Sequence, residues 1–321
     1  MGQLWSTPNK GGFMFAPNLS KVLRRQVAAE CRFRQFTDCR ESDVKKKGQL
    51  FQWNVFNDVT PDVVPPNPLN RELTEGTAIP SGSFTIVQES LTIKEHGLQV
   101  PFTSFLDLMS EQSVTEVVTN VLKNDARKVL DAQAHAQFNL AKLRAAPTGG
   151  NSTTAVSFSE TGSTAIVNNQ ALTKAHVARI ADYMEGRNIP AFDNDTYMAI
   201  GRVESFSTFR DELEAISHYV DEGYRMIYRG EKGRYRGVRF VVQTNIPNQA
   251  WANGKSDPVY FFGDDTVVEG VAMAEEVRGK IPGDYGRDLG VAWMYVGGFG
   301  IAHTDALNGR IVVWDTAPPG P

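Results

Sequence analysis

Two cysteines in 321 residues, Cys31 and Cys39, are too few for a disulfide framework. They are also too few for a four-ligand structural zinc site, because no second Cys or His pair stands at a suitable spacing. They read as buried or idle thiols in a reducing cytosol. Long apolar runs are missing too: nothing of about 18 residues is there to span a bilayer. The opening MGQLWSTPNKGG lacks the charged start and apolar stretch of a signal peptide. A soluble chain made in the cytosol, with no membrane contact, is the expectation. Histidine is sparse, with five residues scattered at 96, 135, 176, 218 and 303. Asp131 and His135 stand four apart on a helical stretch, and such a lone pair reads as a solvated contact rather than a metal site. Neither G-x-S-x-G nor H-E-x-x-H occurs, Cys31 has no local base, and no carboxylate pair sits in an apolar setting. The sequence names no catalytic, cofactor-binding or metal-binding residue and argues against an enzyme.

A nucleotide site is the one reading that needs closer weighing. A phosphate-binding loop requires G-x-x-x-x-G-K-[ST] between a strand and a helix. Gly254-Lys255-Ser256 has the tail, but Gln249 holds the first-glycine position and Asp257-Pro258 follows in place of a helix. Gly279-Lys280 runs into Ile281, with Ala274 in the first position. GFGIAH (298–303) approaches the dinucleotide fingerprint, yet His303 stands where the third glycine belongs. YRGEKGRYRGVRFVV (228–242) is basic and glycine-bearing, with apolar alternation on both sides. It predicts a β-hairpin whose glycines serve the turn and whose arginines face outward.

What the chain does have is length for two compact domains, 41% hydrophobic residues for a core, and an uneven charge. Residues 1–50 carry ten Lys/Arg against four acids, a net of +6 on a chain that totals −4, so the remainder carries −10. Within that basic arm, LSKVLRRQVAAECRF (19–33) predicts a short amphipathic helix. FQWNVF alternates as a strand does. Residues 57–82, with five prolines, predict an irregular tip. SFTIVQESLTIKEHGLQVPFT again alternates, so 50–103 reads as one long two-stranded arm. Ser113 and Glu116 form an S-x-x-E start to a helix predicted over 114–145, about 48 Å long and running along the surface. A polar loop or hairpin excursion follows at 147–165. Beyond it, Thr173 caps a helix ending near Gly186, with Leu172 and Val177 over its start. DTYMAIG, GVRFVVQTN, PVYFFG, GVAWMYVGGFGIAH and GRIVVWDT read as strands, and FRDELEAISHYVDEGY and DDTVVEGVAMAEE as helices.

Taken in this order, LNRELTEGTAIP, SVTEVV…AHAQFN, IYRGEKGRYRGVRFVVQTNIP, VYFFGDDTVVEGVAMAEEV and GDYGRDLGVAWMYVGGFGIAH resemble segments of tailed-bacteriophage major capsid proteins, over about residues 20–315. Encapsulins and the herpesvirus capsid floor share that fold. The resemblance implies an α+β fold of five parts. These are an N-terminal arm (1–49), an extended β loop (50–103), and a peripheral domain (104–170) with its spine helix and a following loop. A mainly axial domain (171–290) and returning strands with a tail (291–321) complete it. It implies a structural protein of the virion that self-assembles as hexamers and pentamers into an icosahedral shell. A separate scaffolding protein, a portal and non-specifically held double-stranded DNA are the implied partners, with no cofactor. An encapsulin-like compartment is one alternative; a nucleotide-binding enzyme is the alternative from another class.

Overall fold

The computed structural model describes residues 31–40, 48–57, 73, 75, 76, 78, 79, 84–110, 112–163, 168–192, 195–217, 231–246, 249–251 and 254–315. The predicted helix over 19–33 and the irregular tip over 57–82 therefore lie wholly or largely outside the described residues. The strands are β1 Asp38–Arg40, β2 Leu50–Phe56, β3 Ile86–Thr92, β4 Lys94–Thr103, β5 Leu143–Pro147, β6 Val156–Ser159, β7 Tyr197–Gly201, β8 Glu231–Tyr235, β9 Val238–Val242, β10 Gln249–Trp251, β11 Gly254–Ser256, β12 Val259–Phe262, β13 Val267–Gly279, β14 Asp288–Ile301 and β15 Ile311–Trp314. The helices are α1 Ser104–Met109, α2 Val114–Phe138, α3 Lys174–Gly186 and α4 Ser207–Ser217.

Two sheets share one helix. The larger has the order β6-β5-β15-β12-β7-β9-β8. Its central strands are buried at every position because both faces are covered, and apolar at all but Arg239 of β9 and the terminal Gly201 of β7. Met198, Ile200, Tyr260, Phe262, Ile311 and Val313 point to the face covered by α2. Tyr197, Ala199, Val259, Phe261, Val312 and Trp314 point to the face that packs with α3. The smaller sheet, β1-β13-β14-β4, lies against the same long helix. Helix α2 buries Val114, Val118, Leu122, Ala126, Leu130, Ala134 and Phe138, one residue per turn along a single stripe. It is thus a core helix with an exposed back, where a surface helix was expected.

Four further expectations need correction. Helix α2 has 25 residues, about 38 Å, and stops at Asn139 instead of reaching 145. Leu143–Pro147, favourable enough for a helix, is drawn into the large sheet between β15 and β6, where its side chains are mostly buried. Residues 267–279 form a strand, because Val267, Val268 and Val271 pair with β14 along a ladder that overrides the helix preference of Ala, Met and Glu. The two-stranded ribbon holds β2 and β3 alone, and β4 leaves it to pair with β14 over ten residues. Finally, of the described hairpin glycines expected to serve the turn, Gly233 lies within β8; the turn is Arg236-Gly237, with φ of 49° and 74°, the two-residue turn that suits right-twisted strands.

Both helices start at the residues expected, though the reciprocal exchange expected of Ser113 and Glu116 is seen at Thr173 instead. The Ser113 hydroxyl accepts from Glu116 N–H, and Thr173 exchanges hydrogen bonds with His176, backbone to side chain in both directions.

Candidate functional site

Three features of the described residues can carry a contact: the ribbon, the stitched segment before it, and the basic hairpin. The ribbon alternates inward Phe51, Trp53 and Val55 with outward Gln52 and Asn54. Its inward face sits on β13 and β14 with Leu91, Ile93, Val268 and Ala302. Three polar contacts fasten it to the body, two at its middle and one at the Phe56 end. Trp53 Nε1 donates to the Ala302 carbonyl (3.0 Å), Thr304 N–H donates to the buried Glu89 carboxylate (3.1 Å), and the Asn308 amide reaches Asn57 Oδ1 (2.5 Å). Close approach is possible because β14 is glycine where the ribbon crosses it. A Cβ on Gly298 would overlap the Thr92 carbonyl, and one on Gly300 would meet Leu91 and Trp53. The near-fingerprint GFGIAH is therefore a crossing point, not a dinucleotide loop.

A cavity of about 390 Å³ opens alongside β2, walled by Phe51, Trp53, Val268 and Ala302. At its polar end Asp265 bridges His303 (3.3 Å) and Arg310 (3.1 Å), and Arg310 also donates to the Asp264 carbonyl. The guanidinium is thus already committed, and no helix begins there to offer N–H groups. The cavity lacks the furniture of a phosphate site.

Residues 31–40 are stitched into the body. Phe33 and Phe36 are buried in the core, Phe33 against His135, Phe138 and Tyr260. Asp131 on α2 accepts from the backbone N–H groups of Phe33 (2.8 Å) and Arg34 (3.3 Å), and from the Gln243 amide. Burial raises the Asp131 pKa, and those donors act against that rise. Arg34 grips Glu269 on β13 through Nε and Nη2, and Glu275 through Nη1 and Nη2. Burial alone would lower its pKa; the carboxylate hydrogen bonds outweigh it and hold the guanidinium charged. β1 then extends the small sheet parallel to β13. His135, far from solvated, is buried with its Nε2 2.7 Å from the Tyr260 hydroxyl, and burial takes its pKa from 6.5 down to about 4. Asp131 and His135 thus serve packing and backbone satisfaction. Among the described residues no group of three or more His, Cys, Asp or Glu is placed to hold a metal. Cys31 is half-buried, where burial raises its thiol pKa, and Cys39 is exposed in β1.

The basic hairpin forms the β8 edge of the large sheet. Arg234 and Arg236 are exposed there, as expected of outward residues, but Arg239 is buried, pointing into the sheet's covered face. Arg229 and Gly230 lie outside the described residues. Sequence reasoning missed the stitched segment entirely. Its signal was the Phe33–Phe36 pair, and the position of Asp131 and His135 beside the buried Leu130–Ala134 stripe of α2.

Neither a family model nor a curated protein matches the chain. Solved structures do. The capsid of the cyanophage P-SCSP1u matches with a TM-score of 0.67 at 13% identity, covering 98% of this chain and 97% of its own. The capsid of Ralstonia phage GP4 matches at 0.67 and 11% identity, covering 95% and 96%. The capsid of a native GTA particle matches at 0.58 and 13% identity, covering 97% and 98%. At 11–13% identity the path of the backbone still agrees: over nearly its whole length this chain has the fold of these capsid proteins.

Proposed function

We propose that the chain is a capsid protein, a non-enzymatic subunit that self-assembles into the shell of a tailed-phage head or a related particle. The observation that carries this is coverage: the likeness spans 94–98% of this chain and 96–98% of the neighbours' chains. A ribbon with one face on its own body and an apolar end in water supports it, since such projections suit overlap between subunits. The ribbon is the extended loop, α2 the spine of the peripheral domain, and the large sheet with α3 and α4 the axial domain. Hexamers and pentamers, a separate scaffolding protein, a portal and packaged DNA complete the reading. The test is light scattering and negative-stain microscopy of the purified chain across concentration and salt. Closed particles or capsomers are expected. A stable monomer under every condition would overturn the proposal. The match to a GTA particle supports a second reading of the same shell, distinguished by the length of DNA that the particles contain.

A further inference from the structure

Three passages of the chain meet around one small cavity. Ala141 and Lys142 lead from α2 into β5 of the large sheet, and Thr266 leads from β12 of that sheet into β13 of the small one. His303 and Arg310 lie on the return from β14 to β15. All five line a cavity of about 10 Å³ at this joint. Backbone groups around it are paired: Ala302 N–H donates to the Thr266 carbonyl (2.8 Å), Gly162 N–H to the Lys142 carbonyl (2.8 Å), and Gly263 N–H to the Arg310 carbonyl (3.2 Å).

Two side-chain atoms are not paired. Thr266 is 2% exposed and the His303 side chain 9% exposed. Neither Thr266 Oγ1 nor His303 Nδ1 has a hydrogen-bond partner among the described residues. A bare buried hydroxyl or imidazole nitrogen costs more than a typical hydrogen bond contributes, so folded proteins rarely leave one. Both residues line the same cavity, and about 10 Å³ is close to the least space that holds one water. It is far too little for a phosphate or an organic ligand. Among the described lining residues there is no carboxylate to hold a cation, Lys142 is exposed, and Arg310 is taken by Asp265.

We propose that one ordered water is built into this joint, accepting from the Thr266 hydroxyl and donating to His303 Nδ1. The other side of the ring sets that direction. Its Nε2 lies 3.3 Å from Asp265 Oδ2, a carboxylate oxygen that accepts, so the proton belongs on Nε2 and Nδ1 is left as an acceptor. The water in turn fixes the tautomer that keeps His303 on Asp265, beside the Asp265–Arg310 bridge. It also ties the entry of the small sheet at Thr266 to its exit at His303, where both pass to the large sheet. The site lies within one subunit, so the inference goes beyond the shell reading and does not rest on it.

Two measurements test it. A map of the unmodified chain, fine enough to show ordered waters, should hold a peak within hydrogen-bond distance of both Thr266 Oγ1 and His303 Nδ1. An empty site in a map that shows other buried waters would overturn the proposal. The second measurement is the thermal midpoint of dilute subunits. Thr266→Val keeps the shape of the side chain and removes the hydroxyl. Around a bound water it should lower the midpoint, because a water and an imidazole nitrogen lose their partner. In a dry cavity it would raise the midpoint or leave it unchanged, since a methyl replaces a bare polar atom, and that result would overturn the proposal. His303→Gln places an amide N–H where Nε2 stands and nothing where Nδ1 stands, and it should also lower the midpoint. The double variant should fall little further than the lower single, because either change alone releases the water. Losses that simply add would overturn the bridge. If a variant fails to fold, the map of the unmodified chain decides alone.

Discussion

Acid should loosen the junction between α2 and the large sheet, and His135 sets the size of the effect. Its ring lies among Phe33 and Tyr260, with centroids 4.8 and 5.2 Å away, and burial lowers its pKa from 6.5 to about 4. Between those values the unfolded chain binds a proton that the folded chain refuses. Stability therefore rises with pH across the window and is lost as pH falls through it. Linkage gives a loss of about 2 kcal/mol between pH 7.5 and pH 5, tending to about 3 kcal/mol at the acid limit. Asp131, one turn earlier, works the other way, since burial raises its pKa and favours the protonated folded state at low pH. Comparison with His135→Gln cancels that contribution. Glutamine keeps a polar partner for the Tyr260 hydroxyl but does not titrate. Urea unfolding of dilute subunits, followed by tryptophan fluorescence from pH 5 to 7.5, should show the variant gaining on the wild type by about 2 kcal/mol as the pH drops. A gap that stays constant with pH would refute a neutral, buried His135.

Other perturbations address the stitched segment, the crossing and the hairpin. Arg34→Met leaves the buried Glu269 without its guanidinium and should cost about 3 kcal/mol in calorimetry; a midpoint that hardly moves would mean the clamp is dispensable. Gly298→Ala forces a methyl into the Thr92 carbonyl, costs about 1–3 kcal/mol, and should speed proteolysis in the ribbon while sparing α2. Arg234→Ala with Arg236→Ala touches only exposed edge residues, so the subunit's thermal transition should be retained and assembly weakened. Loss of that transition would show the two to be structural.

Local rules made the parts with local causes legible. The capped start of α3, the alternation of β2 and the unbroken apolar strands of the large sheet follow from residues within one or two turns of each other. What escaped depends on distant partners. Nothing near Phe138 ends a helix by itself; the chain turns there because β15 and β6 offer Leu143–Pro147 a buried slot. Val267–Gly279 is strand because β14 lies beside it, and β4 leaves the ribbon for the same reason. Asp131 reads as a solvated helix residue until Phe33, 98 positions earlier, brings its N–H to it. The capsid likeness, by contrast, was carried by the order of segments, which survives when identity falls to 13%.

The stitched segment also changes how the basic arm must be tested. Arg34, counted among the arm's cations, is spent on Glu269 and Glu275, and Phe33 and Phe36 belong to the core. Removing residues 1–47 would therefore unfold the body and say nothing about charge. The cut has to come before Cys31. Residues 1–30 carry Lys10, Lys21, Arg24 and Arg25 against Glu30, and they join the body where Arg127 and Lys128 of α2 act on the Cys31 thiol. Cations at that junction would add to those of the arm. If the arm meets DNA phosphates, each released counterion adds to the salt dependence. A chain lacking 1–30 should keep the thermal midpoint of the intact chain, bind DNA more weakly at low salt, and show a log–log salt slope shallower by about 3 to 4. Equal binding by the two chains, or binding that ignores salt, would make the arm a solvated face and remove DNA from its partners.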